Sequence, residues 1–446
     1  MSEALPAYLA LGVLAVQALA FTLQGGSILM GRPLSEVATG RLLRGTYSLA
    51  FMLALASSIA FVTSGRDQVV LNLGELRLLD SYEFHAVLLL DGLALPFLLL
   101  ATLLCGVVAI FSEKYLHRES GFHRFFLLLC LFGFGDTLTI LAGSIETLYA
   151  AWETLGLTSA LLIGFFHERA GPVQNGFYAF VVYRFSDLCL SLATVSIYHL
   201  AKTGDFTSFL GHAAWPNHQT TLSPQGASLV GFLILLAAMG KAGQLPFSGW
   251  LRRAMEGPTP STAIFYGALS VHAGAFLLLR CSSLLDASSA LAAATTCIGL
   301  LTAFWSRAVG VTQTDVKCGL AYASLTQVGL IFAEIGLGLR IFPVVHIVAH
   351  ALIRSIQFLR APSLLHEMHE LHSAVGGRPV QKSAYRGWMS KARNYRMAAD
   401  LFYLEILVER LVASPFMAFC QFLQKLDSKT LDLLVGPETD EAEPRV

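Results

Sequence analysis

Apolar residues run in long blocks along this chain, at about 4–24, 45–63, 85–112, 122–143, 145–166, 173–201, 227–250, 258–283, 287–312, 316–338 and 341–363, separated by short polar or Gly/Pro-bearing turns. A bilayer core about 30 Å thick needs roughly 20 apolar residues per crossing helix. The pattern predicts an all-α, polytopic membrane protein of about eleven transmembrane helices. After residue 400 the spacing changes. Leu401, Leu404, Leu407, Val408, Leu411 and Val412 recur at helical intervals beside Glu405, Glu409 and Arg410. That describes an amphipathic helix lying on the membrane or clasping a partner, rather than a further span. Pro437 to Val446 is acidic and poor in apolar residues, a composition that predicts disorder. Three regions result: N-terminal helices and loops at 1–84, a core of spans at 85–372, and a tail at 373–446.

Composition agrees with lipid as the solvent. Hydrophobic residues make up 55% of 446 positions and charged ones 13%, with a mean hydropathy of +0.61. Thirty basic and thirty acidic residues cancel, so no global field attracts nucleic acid and partners must be recognised locally. None of the seven cysteines forms a Cys-x-x-Cys pair, and they read as small core residues. The first apolar stretch lacks a basic lead and a small-residue cleavage site, so it is expected to be retained. Arg32, Arg41, Arg44, Lys114, Arg118, Arg124, Arg169, Arg252, Arg253, Arg307 and Lys317 fall on odd-numbered connections, against Arg66, Arg77, Lys202, Arg280 and Arg340 on even ones. The positive-inside rule then puts the N-terminus outside and the basic tail around Arg378 to Arg396 in the cytoplasm.

A charged side chain at the bilayer centre costs about 2.5–3.5 kcal/mol even on the mild insertion scale, so each one needs a partner, a wet cavity or a task. Glu153 sits midway along the fifth block; it is either a structural carboxylate or an ion carrier. Arg184 and Asp187 stand three apart in the sixth, close enough to pair, and a purely structural ion pair is one reading of them. Lys241 lies five residues before Pro246, where the helix is expected to break. Discontinuous helices of that sort line transporter sites, so Lys241 is expected beside water, coupled to Glu153, with snorkelling to the interface as the alternative.

His346, His350 and Arg354 are four apart and share one helix face, spanning about 12 Å of depth. Two histidines in series suit proton relay, although a histidine satisfied by a backbone carbonyl is the commoner case. Lys317 bridges the Lys241 side to this ladder or anchors its helix at the interface; His272, Glu334 and Asp315 are weaker candidates. His366, His369 and His372 recur at three-residue spacing, but no cysteine cluster or HExxH pattern supports a metal site, and a polar helix end explains them. No catalytic residue and no cofactor is expected in this chain.

The stretch Gly240-Lys241-Ala-Gly-Gln244-Leu-Pro246, Trp250-Leu251, Met255-Glu-Gly257-Pro258-Thr259-Pro260, Gln313-Thr-Asp315-Val-Lys317 and Leu320-Ala-Tyr322 resembles the antiporter-like subunits of respiratory complex I and of Mrp antiporters. Trp152-Glu153, Arg184-Phe-Ser-Asp187 and His346/His350 extend the resemblance over about 85–360. It implies that Glu153, Lys241, Lys317, His346 and His350 form a polar axis through the membrane that translocates H+ or Na+. There are departures. The family's usual histidine early in the eighth span is replaced by Tyr266, with His272 further on, and Arg354 replaces a lysine and cannot release its proton. The second broken helix is not reached, and the sequence leaves open whether the second half-channel is complete.

Gln357-Phe-Leu-Arg360-Ala-Pro362-Ser-Leu-Leu-His366 and the tail look like the DabB membrane subunits of bacterial DAB inorganic-carbon uptake complexes. That resemblance implies a DabA-like cytoplasmic partner related to β-carbonic anhydrases and carrying the zinc, so the present chain would not itself be an enzyme. The competing expectations are a distal proton-pumping subunit of complex I or a related hydrogenase, and a non-conducting membrane scaffold.

Overall fold

The computed structural model describes residues 4–79, 82–361 and 391–435. Helices α1 (Leu5–Leu29) and α2 (Glu36–Ser64) pack as an antiparallel pair. Ser35 starts α2 by accepting from the Ala38 amide, and Gly65, at φ +65°, ends it in the left-handed region that costs glycine least. An antiparallel hairpin follows, β1 (Gln68–Leu79) and β2 (Tyr82–Asp91), paired from Gln68↔Asp91 to Leu79↔Tyr82. This corrects the expected third span: residues 85–91 are strand, and α3 runs Ala94–Tyr115. A short buried apolar run such as Val87–Leu90 fits strand and helix equally by periodicity. Asp91 sets the boundary, because its Oδ1 accepts from the Leu93 and Ala94 amides and caps α3.

Up to Arg360 the helices that follow are α4 (Phe122–Leu141), α5 (Ile145–Ile163), α6 (Ala170–Ala201), the short α7 (Phe206–Phe209), α8 (Pro224–Lys241), α9 (Gly249–Arg253), α10 (Thr259–Thr262), α11 (Ser270–Arg280), α12 (Ser282–Ala287), α13 (Ser289–Gly310), α14 (Val316–Gly336) and α15 (Ile341–Arg360), and Ala392–Ala399, Leu404–Val408 and Ser414–Val435 are helical in the tail. The expected break is present: α8 stops at Lys241 and the chain resumes as α9. Residues 259–280 form a fully buried central span in which a wide π turn, Ala263–Ala268, joins α10 to α11. Backbone comes very close there. A Cβ on Gly267 would lie 3.1 Å from the Ser355 amide of α15.

Among the described residues, eleven helices are long and apolar enough to cross a bilayer, so the molecule is an all-α polytopic membrane protein. Their membership differs from the expected eleven. Helix α5, which carries Glu146 and Glu153, is not among them, whereas 401–430 is, although it was expected to be a surface helix. Strand β2, the α4–α5 turn and the segment after α6 meet on one side, through bridges Leu88↔Ala142 and Ser144↔Asp205. On the opposite side Glu405 accepts from Arg253 Nε at 2.7 Å and lies 3.4 Å from Arg252, while Glu409 lies 3.5 Å from Arg253. The expected clasp therefore closes on the chain's own α9. Pro437 to Val446 and His366, His369 and His372 lie outside the described residues.

Candidate functional site

Four ionisable side chains form a continuous chain across three helices. Arg184 of α6 reaches Glu153 of α5 with one guanidinium nitrogen and Asp187, one turn along its own helix, with another at 2.6 Å. The second Asp187 oxygen stands 3.7 Å from Lys241 Nζ at the end of α8. Exposure falls along the series: Glu153 and Arg184 are about a quarter exposed at 25% and 29%, Asp187 is at 2% and Lys241 at 0%. The sequence reading coupled Lys241 directly to Glu153 and offered Arg184 and Asp187 as a separate pair. The structure places that pair between the two, because Arg184 is long enough to span to α5 while Asp187 faces α8.

Lys241 was expected beside water, and is instead enclosed. Its ammonium donates to the Trp152 carbonyl at 3.2 Å and lies over the Trp152 and Tyr183 rings at 5.0 and 4.6 Å, where the ring faces attract a cation. Protein groups satisfy the opened backbone: Trp250 Nε1 donates to the Gly240 carbonyl at 3.0 Å, and Thr302 accepts from the Leu245 amide at 3.1 Å. Gly156 makes room for the ammonium, since a Cβ there would lie 2.5 Å from Nζ. The Tyr183 hydroxyl is buried without a hydrogen-bond partner beside this cluster.

The histidines do not form the single-face ladder that their spacing suggested. His350 turns to α11, where its Nδ1 meets His272 Nε2 at 3.0 Å, and His272 Nδ1 meets the Ala268 carbonyl at 2.5 Å. A carbonyl only accepts, so His272 carries its proton on Nδ1 and, in the neutral pair, His350 donates from Nδ1. His350 Nε2 is then a buried lone pair with no partner. The π turn supplies the carbonyl: Leu269 N bonds Ile264 O and His272 N bonds Leu269 O, which leaves Ala268 O for the side chain. His346 bonds elsewhere, to Glu334 at 2.8 Å and Gln327 at 3.1 Å, both on α14. Arg354 donates to Gln357 at 2.8 Å and, with Gln327, lines a polar recess of about 270 Å³. His272 and Glu334, ranked below the ladder by sequence, are thus its direct hydrogen-bond partners.

Lys317 donates to Thr259 at 2.7 Å, at the start of the central span, and touches neither Lys241 nor the ladder through a hydrogen bond. Asp315 accepts from the Cys318 amide at 2.8 Å, the geometry of an N-cap. It also lines an open polar recess of about 640 Å³ with Arg252, Glu256 and Gln313. The Tyr266 side chain lies outside the described set. Sequence reasoning missed three buried acids, Asp91, Asp136 and Glu146. Asp91, at the edge of a strand, forms a pair with Arg280, at 2.5 and 3.2 Å. Asp136 stands in the fourth apolar block, where a lone carboxylate in a lipid-length run was a signal available from sequence.

Residues 142–382 match the family described as NADH:quinone oxidoreductase/Mrp antiporter, TM, and residues 78–126 match the N-terminus of chain 5 of complex I. The chain is similar to NADH-ubiquinone oxidoreductase chain 5 of Schizophyllum commune, 32% identical over 67% of this chain and 42% of that one. It is also similar to the probable inorganic carbon transporter subunit DabB1 of Halothiobacillus neapolitanus, 33% identical over 61% of this chain and 49% of that one. A solved Mrp complex from Dietzia sp. contains a chain that superposes with a TM-score of 0.66 at 26% identity, covering 85% of this chain and 39% of that one. The chain spans about half the length of the curated relatives it matches. It belongs to the antiporter-like membrane subunit family shared by NADH:quinone oxidoreductases and Mrp antiporters.

Proposed function

We propose that this chain conducts H+ or Na+ across a bacterial inner membrane and couples that flow to a cytoplasmic, carbonic-anhydrase-like zinc partner of the DabA type that accumulates inorganic carbon. The observation that carries the reading is the series Glu153–Arg184–Asp187–Lys241, which ends on an enclosed lysine at a broken helix. Two unit charges about 4 Å apart interact by on the order of 4 kcal/mol at an effective dielectric of 20. Neutralising Glu153 at its exposed end would let Arg184 turn fully to Asp187, which weakens the hold of Asp187 on Lys241 and releases a proton there. In the direction of travel, the N-terminus is outside and the tail in the cytoplasm, as the basic connections suggest.

Co-expression with the zinc partner should let a strain lacking carbonic anhydrase grow in air, and Lys241→Met should abolish growth while the complex still assembles. Rescue by this chain alone would contradict the division of labour. The similarity to chain 5 of complex I favours a second reading, a distal pumping subunit driven by redox chemistry. Purification in mild detergent separates the two: quinone- and iron–sulfur-bearing subunits would support pumping, and a single large zinc protein the carbon-uptake reading.

A further inference from the structure

Asp136, five residues before the end of α4, is 5% exposed, and its Oδ2 has no hydrogen-bond partner. Its hydroxyl neighbours are engaged elsewhere. Thr139 donates to the Gly135 carbonyl at 2.8 Å, and Thr137 Oγ1 accepts from Gln17 of α1 at 3.2 Å. The titratable groups facing it are Tyr47 of α2, whose hydroxyl donates to the Leu129 carbonyl, Cys105 of α3, and His272 of α11. From α5, Thr154 packs against Gly135, next to Asp136 in the chain, and it does not titrate. An isolated carboxylate sealed in hydrocarbon costs far more than a neutral acid, so this oxygen is placed to hold a proton.

Asp136 and His272 line one small cavity, together with Thr139, Ala268, Leu269 and Phe276. Its volume, about 10 Å³, is at the lower limit for one water molecule. Ala268 also accepts from His272 Nδ1, so the proton on that nitrogen lies at the cavity wall.

We propose that Asp136 is a proton-binding site at the hairpin-side end of the His350–His272 pair, reached through this cavity. The inference rests on the reading of the chain as an ion conductor. A proton adds to the open His350 Nε2, and the Nδ1–H bond of His350 breaks as its proton passes to His272 Nε2. The His272 ring then turns its Nδ1–H from the Ala268 carbonyl to the cavity, that bond breaks, and the proton crosses on a water molecule to Asp136 Oδ2, converting carboxylate to carboxylic acid. One proton enters, one arrives, and both imidazoles end neutral in the opposite tautomer. Asp136 lies toward the side where Ala142 pairs with Leu88 of the hairpin, so its release is to that face.

The test uses the full chain in lipid vesicles. Infrared difference spectra across pH should show a buried protonated-carboxyl band that Asp136→Asn removes and His272→Gln shifts. Proton flux read by an enclosed pH dye should fall about tenfold or more in Asp136→Asn and be largely retained in Asp136→Glu. Asp136→Ser serves where Asp136→Asn does not fold. A band that survives removal of the carboxylate overturns the proposal. Wild-type flux in the Asn or Ser variant, with Lys241→Met silent, also overturns it and leaves the conduction reading standing. Wild-type flux in Lys241→Met removes that reading and this inference together.

Discussion

Two buried ion pairs in this molecule look alike by burial and differ in everything that would let a charge move. Asp91 and Arg280 are 2% and 3% exposed, joined by two hydrogen bonds, and Asp91 also caps α3. Both Asp91 oxygens are engaged, Arg280 Nε alone stays without a hydrogen-bond partner, and arginine does not release its proton in proteins. Asp187 and Lys241 are at least as buried, but 3.7 Å apart, and Asp187 shares its charge with Arg184. The first pair is a closed fork that fixes the hairpin to the central span. The second is loose, contains a cation that can deprotonate, and is linked through Arg184 to a quarter-exposed carboxylate. Burial alone does not distinguish a structural charge from a mobile one; geometry and the chemistry of the cation do.

The contrast breaks first at Arg280. Arg280→Met leaves Asp91 uncompensated and should destabilise the protein by about 3–5 kcal/mol in detergent unfolding, whereas Asp91→Leu with Arg280→Met should recover most of that loss. A small effect in the single variant would mean the fork is not structural. Next, Lys241→Arg keeps the positive charge and removes the transferable proton, so flux per folded molecule should fall by about a hundredfold. Arg280→Lys should do the reverse, lowering stability but leaving flux per folded molecule unchanged. Equal behaviour of the two swaps would erase the distinction.

A smaller effect is expected at Gly156. Gly156→Ala puts a methyl 2.5 Å from Lys241 Nζ and should cost about 1–3 kcal/mol or displace the ammonium, read as lowered flux beside an unfolding midpoint. The smallest concerns His218, which lines the cavity beside Asp91 and Arg280 and is pushed down to about 4 by burial, with the Arg280 charge adding. The unfolded chain binds a proton near 6.5 and the folded one does not, so stability should decline as pH falls from about 6.5 and level off below about 4. His218→Gln should flatten that decline in melts taken at pH 7 and 5.

What sequence could say was set by lipid. Spans were legible because hydrocarbon imposes length and composition, and the break at Lys241 because Pro246 cannot continue a helix. The hairpin was not, since Val87–Leu90 is as apolar as the helix that follows. Glu153, Arg184, Asp187 and Lys241 were each visible as charges in costly places, but their order depends on which way each helix turns its face. Asp91 and Arg280 are 189 residues apart; Arg280 sits near the end of its block, where a charge is cheap, and only the fold pairs it with Asp91, which lies inside the third block. His272 came into contact with His350 through the π turn, a local widening that periodicity does not report.

That turn also has a bearing on register. It holds one residue more than an ordinary helical turn, and deleting that surplus would rotate Ser270–Arg280 by about 100° and shift it about 1.5 Å along its axis. Both His272 and Arg280 would swing off their partners in a single step. One spare amino acid in the middle of the bundle thus sets the phase of an imidazole contact at one end of a helix and a guanidinium fork at the other.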